Sequence, residues 1–266
     1  MGTKDSIVAD CDVDAADMHL LMQPDFKKHE EYYSGEQAII NQTECTKCGT
    51  CAVVCRFQAI FIDNDEYRVD PLECEGCGYC ARVCPVGAIT NEIQYAGQWY
   101  ISNIKTGSLM VHARLGIGAD NSGKLVAKVK NEARGIAKEH NKEFIIIDGP
   151  PGIGCPVISS LSGADFAVLV TEPSVAGLHD LKRIYDLLKH FKIRAACIIN
   201  KSDLNIHVTR EIEEFLKVEN IIHLANIPYD ESFTESMIYG KTIIEYKDND
   251  LTKIISDCWN KIKQEL

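Results

Sequence analysis

The sequence repeats one cysteine-rich unit: Cys45-Thr-Lys-Cys48-Gly-Thr-Cys51-Ala-Val-Val-Cys55 is followed by Cys74-Glu-Gly-Cys77-Gly-Tyr-Cys80-Ala-Arg-Val-Cys84-Pro85. Each unit has the spacing C-x2-C-x2-C-x3-C, and the units repeat with a period of 29 residues. The residues between the cysteines also correspond, with Gly49 matching Gly78 and Ala52 matching Ala81. The stretch is therefore an internal duplication of one cysteine-bearing unit.

The spacing within each unit favours iron–sulfur clusters over the other uses of cysteine. Three thiolates two residues apart wrap a tight loop around one cluster, and the fourth lies on a helical turn that leads away to the other cluster. Zinc ribbons instead use cysteines in two pairs. Disulfides are the weakest alternative, because the N-terminus MGTKDSIVAD has no apolar signal-peptide core. The two predicted ligand sets are Cys45, Cys48, Cys51 and Cys84, and Cys74, Cys77, Cys80 and Cys55.

One difference between the units concerns the residue after the last cysteine. Cys84 is followed by Pro85, but Cys55 is followed by Arg56, whose charge we expect to alter the potential of the adjacent cluster. With apolar neighbours such as Phe57, the stretch resembles a bacterial two-cluster ferredoxin module over roughly residues 41–92. The resemblance implies two [4Fe-4S] clusters, fast one-electron hopping between them, and a redox partner protein.

Length and composition limit the classes of function. The 266 residues are 45% hydrophobic, which is enough for one large or two smaller domains, and the net charge of −11 argues against nucleic-acid binding. No apolar run approaches the roughly 20 residues of a membrane span. Gly2 and Ser6 match a myristoylation pattern, which we interpret as a chance match. Oxygen-sensitive clusters favour a reducing cytoplasm in an anaerobe.

Outside the cysteine units, apolar strands alternate with amphipathic helices. We predict strands at 6–13, 144–148, 166–170 and 195–199, helices at 125–140, 178–191 and 210–218, and β-hairpins within 92–115. This rhythm predicts an α/β fold with a parallel sheet covered on both faces. The predicted division is an α/β domain of residues 1–40 and 93–266, into which an α+β ferredoxin-like domain of residues 41–92 is inserted.

Acidic and amide side chains follow several of the predicted strands. Asp10 and Asp12 end the first strand, Asp148 ends another, and Asn200-Lys201-Ser202-Asp203 satisfies the N-K-x-D pattern for recognition of a nucleotide base. Ligands of open α/β sheets bind at this edge. An apolar strand that ends in aspartate resembles the Walker-B element, which holds magnesium. Strand-end aspartates are as often turn or cap residues, so each motif alone carries little weight.

Taken together, the segments ADCDVDAADMHLLM, DGPPGIGCP, VTEPS, INKSD and IPYD resemble MinD-type P-loop ATPases, in particular the branch with an inserted ferredoxin domain. The resemblance implies that Asp12 positions the hydrolytic water, that Asp10 lies close to magnesium and that Asp148 is the Walker-B acid. It also implies that Asn200 contacts the base, which is adenine by family preference, although Asp203 would permit guanine. The implied cofactor is Mg-ATP.

The glycine-rich phosphate loop that opens this family does not occur in the sequence. The chain begins at what would be the second strand, so about one βα unit of roughly 30 residues is missing. In the related ATPases that strand is central, so its absence should expose strand edges. Either a preceding segment was lost, or the chain is a natural degenerate subunit with an obligate partner. ATP hydrolysis by this chain alone is therefore doubtful.

One stretch comes close to replacing the loop. Residues 118–124 fit G-x4-G-K and end in Lys124, but Leu125 stands where a hydroxyl should bind magnesium, and Asp120 would repel phosphates. We weigh contact of Lys124 with nucleotide against the simpler interpretation that Asn121 and Ser122 cap the next helix.

Two functional hypotheses remain. In the first, a MinD-like protein couples its nucleotide state to electron transfer or cluster handling. In the second, a non-hydrolysing electron carrier or scaffold docks a partner, as a homodimer or as a heterodimer with an intact paralogue.

Of the remaining cysteines, Cys11, Cys197 and Cys258 are predicted to lie in the core. Cys155 is interpreted as a buried structural thiol rather than as the ligand of a cluster bridging two subunits.

Overall fold

The computed structural model describes residues 5–116 and 122–266. The strands are β1 (Ser6–Asp10), β2 (Lys28–Ile40), β3 (Ile60–Asp63), β4 (Glu66–Val69), β5 (Ile89–Asn103), β6 (Leu109–Leu115), β7 (Phe144–Asp148), β8 (Phe166–Thr171), β9 (Arg194–Asn200) and β10 (Ile222–Ile227). The helices are α1 (Met18–Met22), α2 (Thr50–Val54), α3 (Tyr79–Val83), α4 (Ser122–Glu139), α5 (Cys155–Leu161), α6 (Val175–Phe191), α7 (Ile206–Val218), α8 (Ser232–Ile238), α9 (Ile243–Tyr246) and α10 (Asp250–Glu265).

The first sheet has five strands in the order β2-β5-β6-β1-β7. Its core is parallel, because β1 pairs in parallel with both β6 and β7, whereas β2, β5 and β6 pair antiparallel. Every residue of β1 is buried, since it has a strand on each side and packing on each face. The α/β class is thus confirmed. The antiparallel pairing of β5 with β6 agrees with the β-hairpins predicted within 92–115, whereas strand β2 was not predicted.

Helix α4 covers one face of this sheet. Its apolar stripe, including Leu125, Val129 and Ala133, packs with Ile7 and Val111 of the strands. Each large side chain buried in this way contributes roughly 1.5–3 kcal/mol. On the opposite face, Met18 and Met22 of α1 pack against the cluster of Val8, Ile104 and Met110.

The second sheet is fully parallel and has the order β10-β9-β8. Helices α6 and α7 cover one face through Leu181 and Ile212, and α10 covers the other through Cys258. No strand among residues 5–116 and 122–266 joins the two sheets, so β7 and β8 are both edge strands.

A two-stranded ribbon carries the cysteine units. Strands β2 and β5 pair along their whole lengths, but β6 accompanies β5 only from Gly97 onward. The distal part, residues 33–40 with 89–95, therefore projects past the sheet and holds residues 41–88 at its end. The predicted domain limits fall at the end of β2 and inside β5, which runs through residue 92 without interruption.

Most of the predicted elements are confirmed. Strand β7 has the predicted bounds, β8 is one residue longer at its C-terminal end, and β9 is one residue longer at each end. A turn at Thr106-Gly107 connects β5 to β6, within the predicted hairpin region 92–115. Strand β1 ends at Asp10 rather than at residue 13. Strand β10 and the three C-terminal helices α8, α9 and α10 were not among the predicted elements.

Candidate functional site

The two cysteine units adopt the same local structure. Helices α2 and α3 begin after Gly49 and Gly78, whose φ angles of 77° and 70° lie in the left-handed region that glycine tolerates. A side chain at Gly49 would also meet the hydroxyl of Tyr67 at 2.7 Å. The fourth cysteine of each unit, Cys55 or Cys84, caps the C-terminus of its helix in an extended conformation.

The structure brings cysteines of both units into one concavity. Cys45, Cys48 and Cys51 of the first unit line it together with Cys84 of the second. Its other lining residues are mostly apolar or small: Ile40, Thr46, Gly49, Thr50, Tyr67, Pro85, Val86, Ala88 and Ile89. These four cysteines are the first predicted ligand set.

The second predicted set surrounds the same core. Cys55, Cys74 and Cys80 are half-buried and pack against the cluster of Ala38, Ile40, Cys51, Ile60 and Ile89. The remaining member, Cys77, is exposed, as is its counterpart Cys48 in the first unit. Each set therefore has one thiol at the surface; its other thiols are half-buried, except for the buried Cys51 of the first set.

The thiols of the two cysteine units differ in their hydrogen bonds and in their burial. The backbone N–H of Ala88 donates to Sγ of Cys84 at 3.3 Å, the kind of contact that stabilises a cluster-bound thiolate. A 3.4 Å hydrogen bond with Thr50 lowers the pKa of Cys48. Burial raises the pKa of Cys51 and of Cys80, so a positive centre is needed to hold either as a thiolate.

The geometry differs from that of a single-ion site. In the described ranges, no three His, Cys, Asp or Glu side chains are arranged to hold one metal ion. A cubane spreads its four thiolates farther apart than one zinc ion does. The cysteines fit iron–sulfur clusters in ligand type and in spacing along the chain, and the N–H of Ala88 supplies an amide donor to Cys84.

A second candidate site lies at the carboxyl ends of β1 and β7. Asp10 and Asp148 are register neighbours there. Asp10 is only 1% exposed; its Oδ1 accepts the N–H of Asp12 at 3.2 Å, and its Oδ2 is buried without a partner in the described structure. Burial and the neighbouring Asp148 raise the pKa of Asp10 to about 7. Burial, followed by the charge of Asp12, also raises the pKa of Asp148. Such a carboxylate pair fits a divalent cation, whose positive charge would offset the repulsion between the two carboxylates.

The other predicted nucleotide residues stand on the second sheet. Asn200 ends β9 half-buried, and its Oδ1 accepts the N–H of Lys201 at 3.1 Å. Lys201 forms an ion pair with Glu172 at 2.6 Å. The carboxylate of Asp203 accepts the N–H of Tyr229 at 2.7 Å and so ties two loops together. This bond engages one of the two carboxylate oxygens of Asp203, and contact of Asn200 or Asp203 with a base stays a prediction.

The stretch near Lys124 is only partly described. Gly118, Asp120 and Asn121 lie outside the described residues. Lys124 is exposed in the first turn of α4, and Leu125 is completely buried in the core. The structure thus assigns Leu125 to packing, and contact of Lys124 with nucleotide stays a prediction.

The four cysteines outside the two units differ in burial. Cys11, Cys197 and Cys258 are buried, which confirms their core assignment, and burial raises the pKa of Cys11 and of Cys197 to about 12. The interpretation of Cys155 as a buried thiol is wrong. It is exposed at the start of α5, because the Gly-rich loop before it keeps this end of the helix at the surface.

Sequence reasoning missed Tyr67, which lines the first concavity. It stands on the β3–β4 hairpin, whose turn residues Asn64 and Asp65 have φ angles of 49° and 63°. Asn and Asp tolerate this region, so the Asn-Asp dipeptide between apolar runs was the available signal.

Comparison with known proteins agrees with both parts of the structure. A family described as the 4Fe-4S dicluster domain matches residues 38–91. The MinD of Pyrococcus horikoshii complexed with Mg-ADP superposes with a TM-score of 0.57 at 17% identity, covering 98% of this chain and 84% of that one. The cell division ATPase MinD of Pyrococcus furiosus gives a TM-score of 0.54 at 16% identity, covering 98% and 86%. The protein therefore has a MinD-like α/β fold with a 4Fe-4S domain.

Two sequence relatives refine this class. An uncharacterized protein of Methanocaldococcus jannaschii, MJ0578, is 31% identical over 258 residues, which is 97% of this chain and 86% of that protein. The chain belongs to the same family as MJ0578. The iron-sulfur cluster carrier protein of P. horikoshii is 25% identical over 156 residues, which is 54% of this chain and 53% of the carrier. No helix in the described part of the chain is long and apolar enough to cross a membrane.

Proposed function

We propose that the chain binds two [4Fe-4S] clusters through crossed ligand sets and transfers electrons to a redox partner protein. The observation that carries this proposal is the concavity lined by three cysteines of one unit and Cys84 of the other. The clusters, when bound, supply reversible one-electron storage.

The residues around the thiols have separate tasks in this proposal. The apolar cluster of Ala38, Ile40 and Ile89 excludes water from the inner faces of the two sites. The N–H of Ala88 stabilises negative charge at Cys84. Cys48 and Cys77 are exposed, so the shortest path for an electron to a docked protein runs through these two ligands.

Iron content tests the proposal. Protein purified without oxygen should hold about eight iron and eight sulfide per chain. A Cys84→Ser variant should lose about half of the iron, and so should Cys84→Ser combined with Cys45→Ser, because both substitutions remove ligands of one cluster. Cys84→Ser combined with Cys74→Ser should lose nearly all of it.

The exposed Cys155 provides a matched control outside both sets, and Cys155→Ser should leave the iron content unchanged. Uncrossed sets would reverse the two double-variant results. One zinc per four cysteines, in place of iron, would refute the cluster assignment itself.

A second candidate function, coupling of the clusters to a magnesium nucleotide, is supported by the acidic edge. Asp10 offers a buried carboxylate with one unpartnered oxygen in the described structure, and the exposed Asp148 lies beside it in register, which suits a divalent cation. Strand β1, which ends in Asp10, pairs with β6, which in turn pairs with the cluster-bearing strand β5. A change at the acidic edge would therefore act on a sheet continuous with the ribbon.

Calorimetric titration of the cluster-loaded chain with Mg-ATP tests the coupling, and cluster potentials measured with and without the nucleotide provide its readout. Heat of binding and a shifted potential support coupling, with Asp10→Asn weakening both. Binding without a shift leaves only a nucleotide site. Absence of binding supports the alternative of a non-hydrolysing carrier or scaffold that docks a second copy or an intact paralogue.

A further inference from the structure

The second cysteine unit lies against the ribbon of β2 and β5. A Cβ atom at Gly76 would lie 2.0 Å from the carbonyl oxygen of Glu36 on β2, and one at Gly78 would lie 2.6 Å from Nδ2 of Asn91 on β5. Cys77, the exposed thiol of the second predicted set, stands between these two glycines. The surface of the ribbon next to Asn91 is therefore also the surface next to this predicted ligand.

An apolar patch continues from Asn91 along the same face of the ribbon. Ile93 and Tyr95 follow Asn91 at every second position of β5, so the three side chains point to one face. Tyr33 of β2 pairs with Tyr95, and their rings meet edge-on with centroids 5.8 Å apart. Ile93 is 65% exposed, Tyr33 54% and Tyr95 48%, because β6 does not reach this part of the ribbon. These three residues form the ribbon patch.

The charges around the ribbon patch are negative. Glu36 is exposed and is the cross-strand partner of Ile93. Glu31 accepts a hydrogen bond from the hydroxyl of Tyr33 at 2.6 Å, and Glu75 is exposed in the adjacent cysteine loop. Strand β5 contains no lysine or arginine, and within the described residues no ion pair engages these three glutamates. A basic surface would therefore be attracted here.

The equivalent surface of the first unit has compensated charges. There the β3–β4 hairpin takes the place of the ribbon beside the cysteine loop. Asp65 of the hairpin forms an ion pair with Lys47 of that loop at 2.8 Å. Arg68 pairs with Asp63 at 3.2 Å and with Glu66 at 3.3 Å. The ribbon patch thus differs from the hairpin in that its acids have no cationic partner in the described structure.

We propose that the redox partner is a protein with a basic surface, which docks on the ribbon patch and receives electrons through Cys77. This inference rests on the proposed electron transfer, and it adds the docking site and the charge of the partner. One electron leaves the chain and reduces a one-electron centre of the partner, with no bond formed or broken. Apolar contact with Ile93 and the two tyrosines supplies affinity, and the glutamates orient the partner during its approach.

Binding of a basic c-type cytochrome to the full, cluster-loaded chain tests this docking surface. With both proteins oxidised no electron is transferred, so calorimetry measures binding alone. The dissociation constant should rise about tenfold or more between about 20 mM and about 200 mM salt, because exposed charges attract the two proteins. Bound cytochrome should slow amide hydrogen exchange at residues 91–95 and leave residues 60–69 of the hairpin unaffected. An acidic flavodoxin should not bind.

Two substitutions separate the ribbon patch from other exposed apolar positions. Ile93→Lys should weaken cytochrome binding about tenfold or more, because it adds a positive charge where a basic partner docks. Ile62, on β3 of the hairpin, is 62% exposed, so Ile62→Lys adds the same charge to the same module at nearly the same exposure. This control should change the dissociation constant by less than about twofold. The rate at which the reduced chain reduces the cytochrome should fall only in Ile93→Lys.

Three results would overturn the docking surface. They are the absence of cytochrome binding at low salt, protection of the hairpin instead of the ribbon, and binding that survives Ile93→Lys. A dimer of the chain, seen by light scattering, in which the ribbon is already protected would also overturn it, because the patch would then belong to a second copy. Failure of the proposed function is distinct from these outcomes, since iron content decides the cluster assignment whether or not the cytochrome binds.

Discussion

Replacement of Asp10 by asparagine should make the α/β body more stable at neutral and alkaline pH. The carboxyl of Asp10 is buried beside Asp148, and both circumstances oppose its ionisation. Asparagine has nearly the same shape, retains an oxygen for the N–H of Asp12, and carries no charge.

The size of the effect follows from proton linkage. The pKa of Asp10 is about 7 in the folded protein, against an ordinary value of 3.8 that applies to the unfolded chain. Between these values the folded state binds more protons, so stability falls as pH rises and the loss is complete above about pH 7. Because each tenfold change in proton affinity corresponds to about 1.4 kcal/mol, the wild type should lose roughly 3 kcal/mol between about pH 5 and pH 8 through this group.

Urea unfolding at a series of pH values provides the assay. Tryptophan fluorescence reports the α/β body, because Trp99 and Trp259 both lie outside the cysteine units. Asp10→Asn should remove the loss of stability near pH 8 and should change the free energy of unfolding little near pH 4. Asp14→Asn alters an exposed acid on the same segment and should leave the wild-type profile intact. The reasoning would be refuted if the unfolding free energies of the wild type and Asp10→Asn varied with pH in the same way. Magnesium, if it binds the carboxylate pair, should stabilise only the wild type.

Three further predictions follow from packing and burial. In urea unfolding, Gly97→Ala should destabilise the protein by more than Gly107→Ala does. A methyl group at Gly97 would lie 2.3 Å from the carbonyl oxygen of Arg114, whereas nothing lies within 4 Å at Gly107. Equal losses of unfolding free energy in the two variants would contradict this reasoning. Leu125→Ser should lower the free energy of unfolding by about 3 kcal/mol, because Leu125 is fully buried. Lys124→Ala, at an exposed position, should change it by no more than about 0.5 kcal/mol. An unchanged stability of Leu125→Ser would argue against a core role for Leu125. Burial lowers the pKa of His112 from 6.5 to about 4, so the unfolded chain binds more protons and stability should fall by roughly 3 kcal/mol on acidification across that window. The same unfolding experiments should show this loss in His207→Gln, whose side chain is exposed, but not in His112→Gln.

The sequence determined the features that depend on short-range spacing. The two cysteine units predicted the repeated loop–helix structure, because ligand spacing and glycine conformation are properties of a few consecutive residues. The bounds of β7 and the apolar stripe of α4 followed from periodicity for the same reason. The aspartates at the strand ends were likewise identified from the sequence.

Only the tertiary structure decided features that depend on distant segments. Whether Asp203 is free or bound depends on Tyr229, which lies 26 residues later, and whether Val170 is covered depends on which strand lies beside β8. The exposure of Cys155 and the raised pKa of Asp10 also arise from neighbours brought together by folding. Spacing along the chain specifies which groups one local element can present, whereas burial and pairing are set by contacts between elements that a local pattern does not encode.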